Sequence, residues 1–173
     1  MRQGVRPWHE RLGEIGPCVY VCVGSDRSSG DSLGPLVGTL LREAEMPHVW
    51  GTLQDPLHAG SLPLMLRPIR DEARRLGLPV LAIDACLGNY ESVGKIVLHD
   101  GPLRPGAGLH KDLPPIGDFA VFATVNVGGF LEYVVPQNTR MSVVYGMAKE
   151  IAGAIVGTHG AARQVAASKE AAR

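Results

Sequence analysis

At 173 residues, 45% apolar and 20% charged, the chain has the size and composition to bury one substantial core. Seventeen basic side chains balance seventeen acidic ones, which excludes a global field for nucleic acid or anionic membrane. No apolar run approaches the roughly 18 residues that cross a bilayer, and the charged opening "MRQGVRPWHERLGEIG" lacks the apolar middle of an export signal. A cytoplasmic location is therefore expected, with its thiols reduced.

Residues 1–16 read as an N-terminal extension, followed by a single α/β domain over 17–157. The run "PCVYVCV" (17–23) predicts a first strand, apolar enough to be buried on both faces. Cys18 and Cys22, four apart in such a strand, lie about 13 Å apart, beyond the ~7 Å reach of a disulfide. With Cys86 they read as free core thiols, and their spacing forms no zinc pattern. The loop "GSDRSSGDS" leads into a helix from about Leu33 to Met46, with Pro35 in its first turn. "HVWGTL" (48–53) predicts a second strand. The next stretch carries apolar residues at helical spacing, but Pro63 and Pro68 predict a broken or late-starting helix, ended by Gly77.

"LPVLAIDA" (78–85) and "GKIVLHD" (94–100) predict strands three and four. A glycine- and proline-rich segment separates them from "FAVFATV" (119–125), the fifth. From Val127 to about Val156 the pattern is helical, broken at Pro136 and recapped by Asn138 or Thr139. Residues 158–173 read as a frayed helical tail. Apolar strands alternating with helices imply a three-layer α-β-α fold around a mostly parallel sheet of five or six strands.

Ligands of such sheets bind beyond the carboxyl ends of the strands. The sequence sends its distinctive polar residues there: Asp26 and Asp31 after strand one, Asp84 closing strand three, and His110 with Lys111 after strand four. The Asp31 loop is no phosphate cradle. It lacks the lysine of a P-loop and the spacing of a dinucleotide fingerprint, and two carboxylates would repel a phosphate. Asp31 has a bland alternative as a helix N-cap, accepting from Leu33 or Gly34. Asp84 is harder to explain without a partner, because an apolar strand desolvates it. Two aspartates from separate strands can share one site, where like charges split their pKa values into an acid and a base. The same pair could instead hold a divalent metal ion. Ser25, His58, Lys111 and Asn126 are candidates for contacting substrate at this edge. His99 and Asp100 read as structural, and the Arg67–Arg75 group as a solvated helix face.

The blocks "VGSDRSSGDSLGPLVG", "GTLQDPLHAGSL", "AIDACLG" and "PGAGLHKDLPPIGDFAVFATVNVGG" closely resemble the YyaC family of sporulation proteins. More distantly they are similar to the spore germination protease, and to hydrogenase maturation endopeptidases of the phosphorylase/hydrolase-like fold group. The resemblance implies that Asp31 and Asp84 are the essential aspartates of a peptidase; Asp26 and His110 are expected to support them or position the substrate. By likeness to the maturation endopeptidases, Asp31, Asp84 and His110 would be the metal-coordinating set. The expected function is hydrolysis of a peptide or protein substrate, spore proteins among the candidates, by an aspartate pair without cofactor. The rival is a non-catalytic sporulation protein holding a peptide, a partner or a divalent metal ion in the same crevice. Neither nucleic acid nor membrane is an expected partner, and the apolar last helix leaves a homodimer open.

Overall fold

The computed structural model describes residues 7–105, 113–128 and 139–171, with side chains described up to residue 160. The five apolar runs form β1 (Val19–Cys22), β2 (Val49–Trp50), β3 (Val80–Gly88), β4 (Ile96–Asp100) and β5 (Phe119–Val127). They make one sheet in the order β2-β1-β3-β5-β4, parallel except for β4, which runs antiparallel to β5. The helices are α1 (Trp8–Ile15), α2 (Leu33–Glu43), α3 (Leu62–Leu76) and α4 (Met141–Ala171). Among the described residues no helix is long and apolar enough to cross a membrane.

Alternation along β1 divides the core between the two faces of the sheet. Cys18, Tyr20 and Cys22 face α1, α2 and α4, packing with Leu12, Leu33, Val37, Leu41 and Ile151. Val19, Val21 and Val23 face α3, packing with Leu62, Leu66 and Ile69. The topology dictates this split. β2 lies on one side of β1 and β3 on the other, so right-handed crossovers must place α2 and α3 on opposite faces. The chain therefore reverses its winding between β1 and β3. Burial holds both core thiols of β1 protonated, pushing Cys18 up to about 12 and Cys22 above its ordinary range.

Three local outcomes refine the sequence pattern. Helix α2 stops at Glu43, before Met46. Helix α3 starts late, at Leu62 with Pro63 in its first turn, but it is not broken: Pro68 lies within it, and Gly77 ends it in the left-handed conformation. Pro68 removes one hydrogen bond, to the carbonyl of Leu64, a residue 75% exposed, where water can replace the lost donor. Residues 8–15, within the stretch read as an extension, form α1, which buries Leu12 against the core.

The same region holds a polar clamp. His159, on α4 and only 2% exposed, donates from Nε2 to the Leu12 carbonyl at 2.9 Å. Its Nδ1 is then the acceptor for the Tyr20 hydroxyl, 2.7 Å away, so one ring joins α1, β1 and α4. Burial holds this imidazole below its ordinary value of 6.5, against the pull of the Leu12 carbonyl. The unfolded chain therefore takes up the proton more readily, and the stability from this group is lost as pH falls below 6.5. His159→Ala leaves two buried polar groups unpaired beside a cavity and is expected to cost roughly 2–4 kcal/mol. Urea unfolding at several pH values checks this. The variant should lose stability at neutral pH and lose part of the acid dependence as well.

Both borders of the sheet carry an arginine. Arg42 donates from Nη2 to the carbonyl of Val49 on β2, at 2.7 Å. Arg11 donates to the carbonyl of Leu98 on β4, at 2.9 Å, and pairs with Asp100.

Candidate functional site

β1 and α2 meet more closely than side chains would allow. A Cβ on Gly34 would sit 2.0 Å from the Val23 carbonyl oxygen, and one on Gly24 would sit 2.1 Å from that of Asp31. Gly24 also has φ +147°, a backbone few other residues adopt. The two glycines thus press the end of β1 against the start of α2. Pro35 completes the join. It has no N–H to give to the carbonyl of Asp31, four residues back, and that carbonyl instead accepts the Ser25 N–H at 3.0 Å. The loop is also stitched to the start of α4. Ser29 Oγ donates to the Thr139 carbonyl at 2.7 Å, and Ser32 Oγ donates back to the Ser29 carbonyl at 2.7 Å. Asp31 is held in the short 3-10 turn Gly30–Ser32, and no side-chain cap bond forms at the start of that turn or of α2.

Asp84 does not close its strand, as the apolar run suggests. β3 continues to Gly88 through pairing with β5, with an irregularity between Cys86 and Leu87. What ends at this level is the other neighbour. β1 pairs with β3 only as far as Cys22 with Ile83, after which Val23 donates to the Ile83 carbonyl and the chain turns away. Asp84 therefore stands where a parallel neighbour leaves, at the winding reversal, the place where open α/β sheets form their binding crevice.

Asp31 and Asp84 feel one another there. Burial pushes the Asp84 carboxyl well above the ordinary range, and the negative charge of Asp31 pushes it further, against the Ala85 N–H that meets Asp84 Oδ1 at 2.9 Å. Burial also raises Asp31, less strongly, opposed by the Ser25 backbone N–H and by His58. Of the two carboxyls, Asp84 is the more strongly raised.

The remaining candidates sort themselves by position. Ser25 supports Asp31 with its N–H, while its Oγ accepts from Arg27 at 3.2 Å. His58 is exposed but near enough for its charge to act on Asp31. Asn126, on β5, spends its amide on Thr139 Oγ1 at 3.1 Å and on the Val127 N–H at 2.8 Å, so it braces the rim. Asp26 is exposed on the loop, and among the described residues no hydrogen bond or ion pair ties it to the pair. His110 and Lys111 lie outside the described residues, as do Pro136 and Asn138. Among the described residues no three His, Cys, Asp or Glu side chains gather to hold a metal ion. Cys86 follows Asp84 on the same strand face, its Sγ 3.4 Å from Thr124 Oγ1. Burial and the Asp84 charge raise this thiol, which argues against a thiolate nucleophile.

Two other concavities, of about 680 and 720 Å³, do not include the pair. The first lies beside β2, where the Glu72 carboxylate accepts from His48 Nδ1 at 2.8 Å and from Trp50 Nε1 at 2.6 Å. The second lies at the opposite edge of the sheet, around Pro79 and Asp118. At Glu72 burial raises the carboxyl, but the His48 and Trp50 hydrogen bonds lower it overall, as in a structural ion pair, whereas Asp31 and Asp84 are both raised.

A family model described as "Protein of unknown function (DUF1256)" matches residues 10–154. The chain is also similar to the "Uncharacterized protein YyaC" of Bacillus subtilis (strain 168), with 51% identity over 139 residues. That match covers 79% of this chain and 66% of the relative. No solved structure matches.

Proposed function

The chain belongs to the DUF1256 family, and we propose that it is a peptidase-like hydrolase in which Asp31 is the base and Asp84 the acid. The observation that carries this reading is the burial of the Asp84 carboxyl on β3 at the level where β1 leaves the sheet; burial raises that carboxyl, and the charge of Asp31 raises it further. An ionised and a protonated carboxyl side by side are what water attack on an amide requires. Asp31 takes a proton from water as the oxygen bonds to the peptide carbonyl carbon, and Asp84 gives its proton to the carbonyl oxygen. In the collapse that follows, the carbon–nitrogen bond breaks. The amine leaves with the proton held by Asp31, and the hydroxyl returns one to Asp84. Ser25 holds the base in place through its N–H.

The similarity of the motif blocks to the germination protease supports peptides of spore proteins as substrates, and a sporulating cell's cytoplasm as the setting. The test incubates the purified chain with spore proteins and peptides cut from them, alongside Asp31→Asn and Asp84→Asn. Cleavage lost in both variants upholds the reading. Saturable peptide binding without cleavage would assign the crevice to a non-catalytic binding role, and full activity in either variant would end the acid–base assignment.

A further inference from the structure

Among the described residues one buried side-chain oxygen has no hydrogen-bond partner, and it lies in the Asp31 loop: Ser28 Oγ. Folding takes this hydroxyl out of water and gives it nothing in exchange, a deficit that native structures rarely keep without a use. The neighbouring serines are all engaged. Ser25 Oγ accepts from the Arg27 N–H at 3.2 Å, Ser29 Oγ donates to the Thr139 carbonyl, and Ser32 Oγ donates to the Ser29 carbonyl. The loop is also closed on itself. The Ser25 N–H meets the Asp31 carbonyl at 3.0 Å, and Ser29 is pinned to the start of α4. Within that ring Asp26 and Arg27 are exposed, whereas Ser28 turns its oxygen inward. Ser28 as a whole is only half-buried, and its one side-chain torsion has three staggered positions, so Oγ can leave its enclosure without a change of backbone.

The chemistry of the absent partner follows from the loop itself. Asp26 and Asp31 already supply acceptors there, and an anionic ligand would meet their repulsion. The hydroxyls of Ser29 and Ser32 are committed as donors elsewhere. An uncommitted neutral O–H in this setting suits an uncharged acceptor, and an extended peptide presents a carbonyl at every residue. We propose that Ser28 is a substrate-binding residue: when a peptide enters the aspartate crevice, the Ser28 hydroxyl turns out of the loop and donates to a backbone carbonyl of that peptide. The proposal rests on reading Asp31 and Asp84 as a peptide site. The free protein thus holds an unmet donor that the bound peptide satisfies, which favours the bound state over the free one.

Ser28→Ala separates this role from a structural one by the sign of its effects. Alanine removes the orphan donor and breaks no bond of the free protein, so the thermal midpoint should rise by about 2–4 °C. Hydrogen exchange at the Ser25 amide, which closes the loop, should slow in the same variant. Peptides cut from spore proteins are then titrated calorimetrically into Asp84→Asn, so that none is cleaved, and into the Ser28→Ala/Asp84→Asn double variant. Their affinity should fall about 3–10-fold on losing the hydroxyl. A lowered midpoint in Ser28→Ala would reveal a structural partner and overturn the proposal, as would unchanged affinity. Peptides that bind neither Asp84→Asn nor the wild type would remove the peptide site itself. Peptides that bind equally with and without the Ser28 hydroxyl would leave that site standing and end this assignment alone.

Discussion

Asp84→Asn is expected to lower turnover by about 10²–10⁴-fold while making the folded protein more stable at neutral pH. The two effects share a cause. Folding buries the Asp84 carboxyl and sets it against the charge of Asp31, so it holds its proton more tightly folded than unfolded. Its contribution to stability is full below the ordinary value of 3.8 and is lost as pH rises through the elevated folded value. At neutral pH the native state therefore keeps a strained carboxyl that the unfolded chain would simply ionise. Asparagine keeps an oxygen for the Ala85 N–H and removes the charge, a gain on the order of 1 kcal/mol by the cost of burying a polar group poorly compensated. Calorimetry across pH should show the variant melting above the wild type near neutrality, with the margin closing as pH falls toward 3.8. A variant that melts lower than the wild type at neutral pH would remove the electrostatic basis of the site.

Gly34→Ala is expected to be the most damaging single methyl in the molecule's site region. The added carbon would stand 2.0 Å from the Val23 oxygen and 2.7 Å from its carbon, both backbone atoms without a rotamer to relieve them. Either β1 or α2 must give way. Val23 is tied to the Ile83 carbonyl and Gly24 to the Leu57 carbonyl, so movement breaks the bonds that form the crevice. We expect a loss of roughly 3 kcal/mol or more, at the upper end for overpacking, read as a lowered guanidinium midpoint. In whatever fraction stays folded, Asp31 moves away and the Asp84 titration drifts down toward the ordinary range. Wild-type stability in this variant would show that strand and helix do not meet as described.

Much of this was legible from residues alone, for reasons that can be named. Runs such as "VYVC" and "VLAI" are apolar on both faces because helices cover both faces, so a parallel sheet writes itself plainly into the chain. Asp31 and Asp84 stood out because a carboxylate beside such runs needs a reason. What the pattern hides is where a neighbouring strand departs. The continuation of β3 to Gly88 depends on β5, some forty residues later, and nothing between Asp84 and Gly88 announces it. Helix α1 was readable in principle: Trp8, Leu12 and Ile15 recur at helical spacing, but in eight residues with only Leu12 fully buried the charged neighbours mask them. His159 carried no local signal at all. Its partner Tyr20 lies 139 residues away, and the surrounding alanines and glycines suggest only a helix end.

The guanidinium groups of Arg11 and Arg42 have a consequence for how the molecule meets copies of itself. A sheet grows by offering unused carbonyls to an incoming extended segment, and here an outward-facing acceptor on each flank is already taken. A newcomer would have to displace a cation and strip its hydration before making a first contact. Edge-to-edge growth into fibrils is thus opposed at both margins.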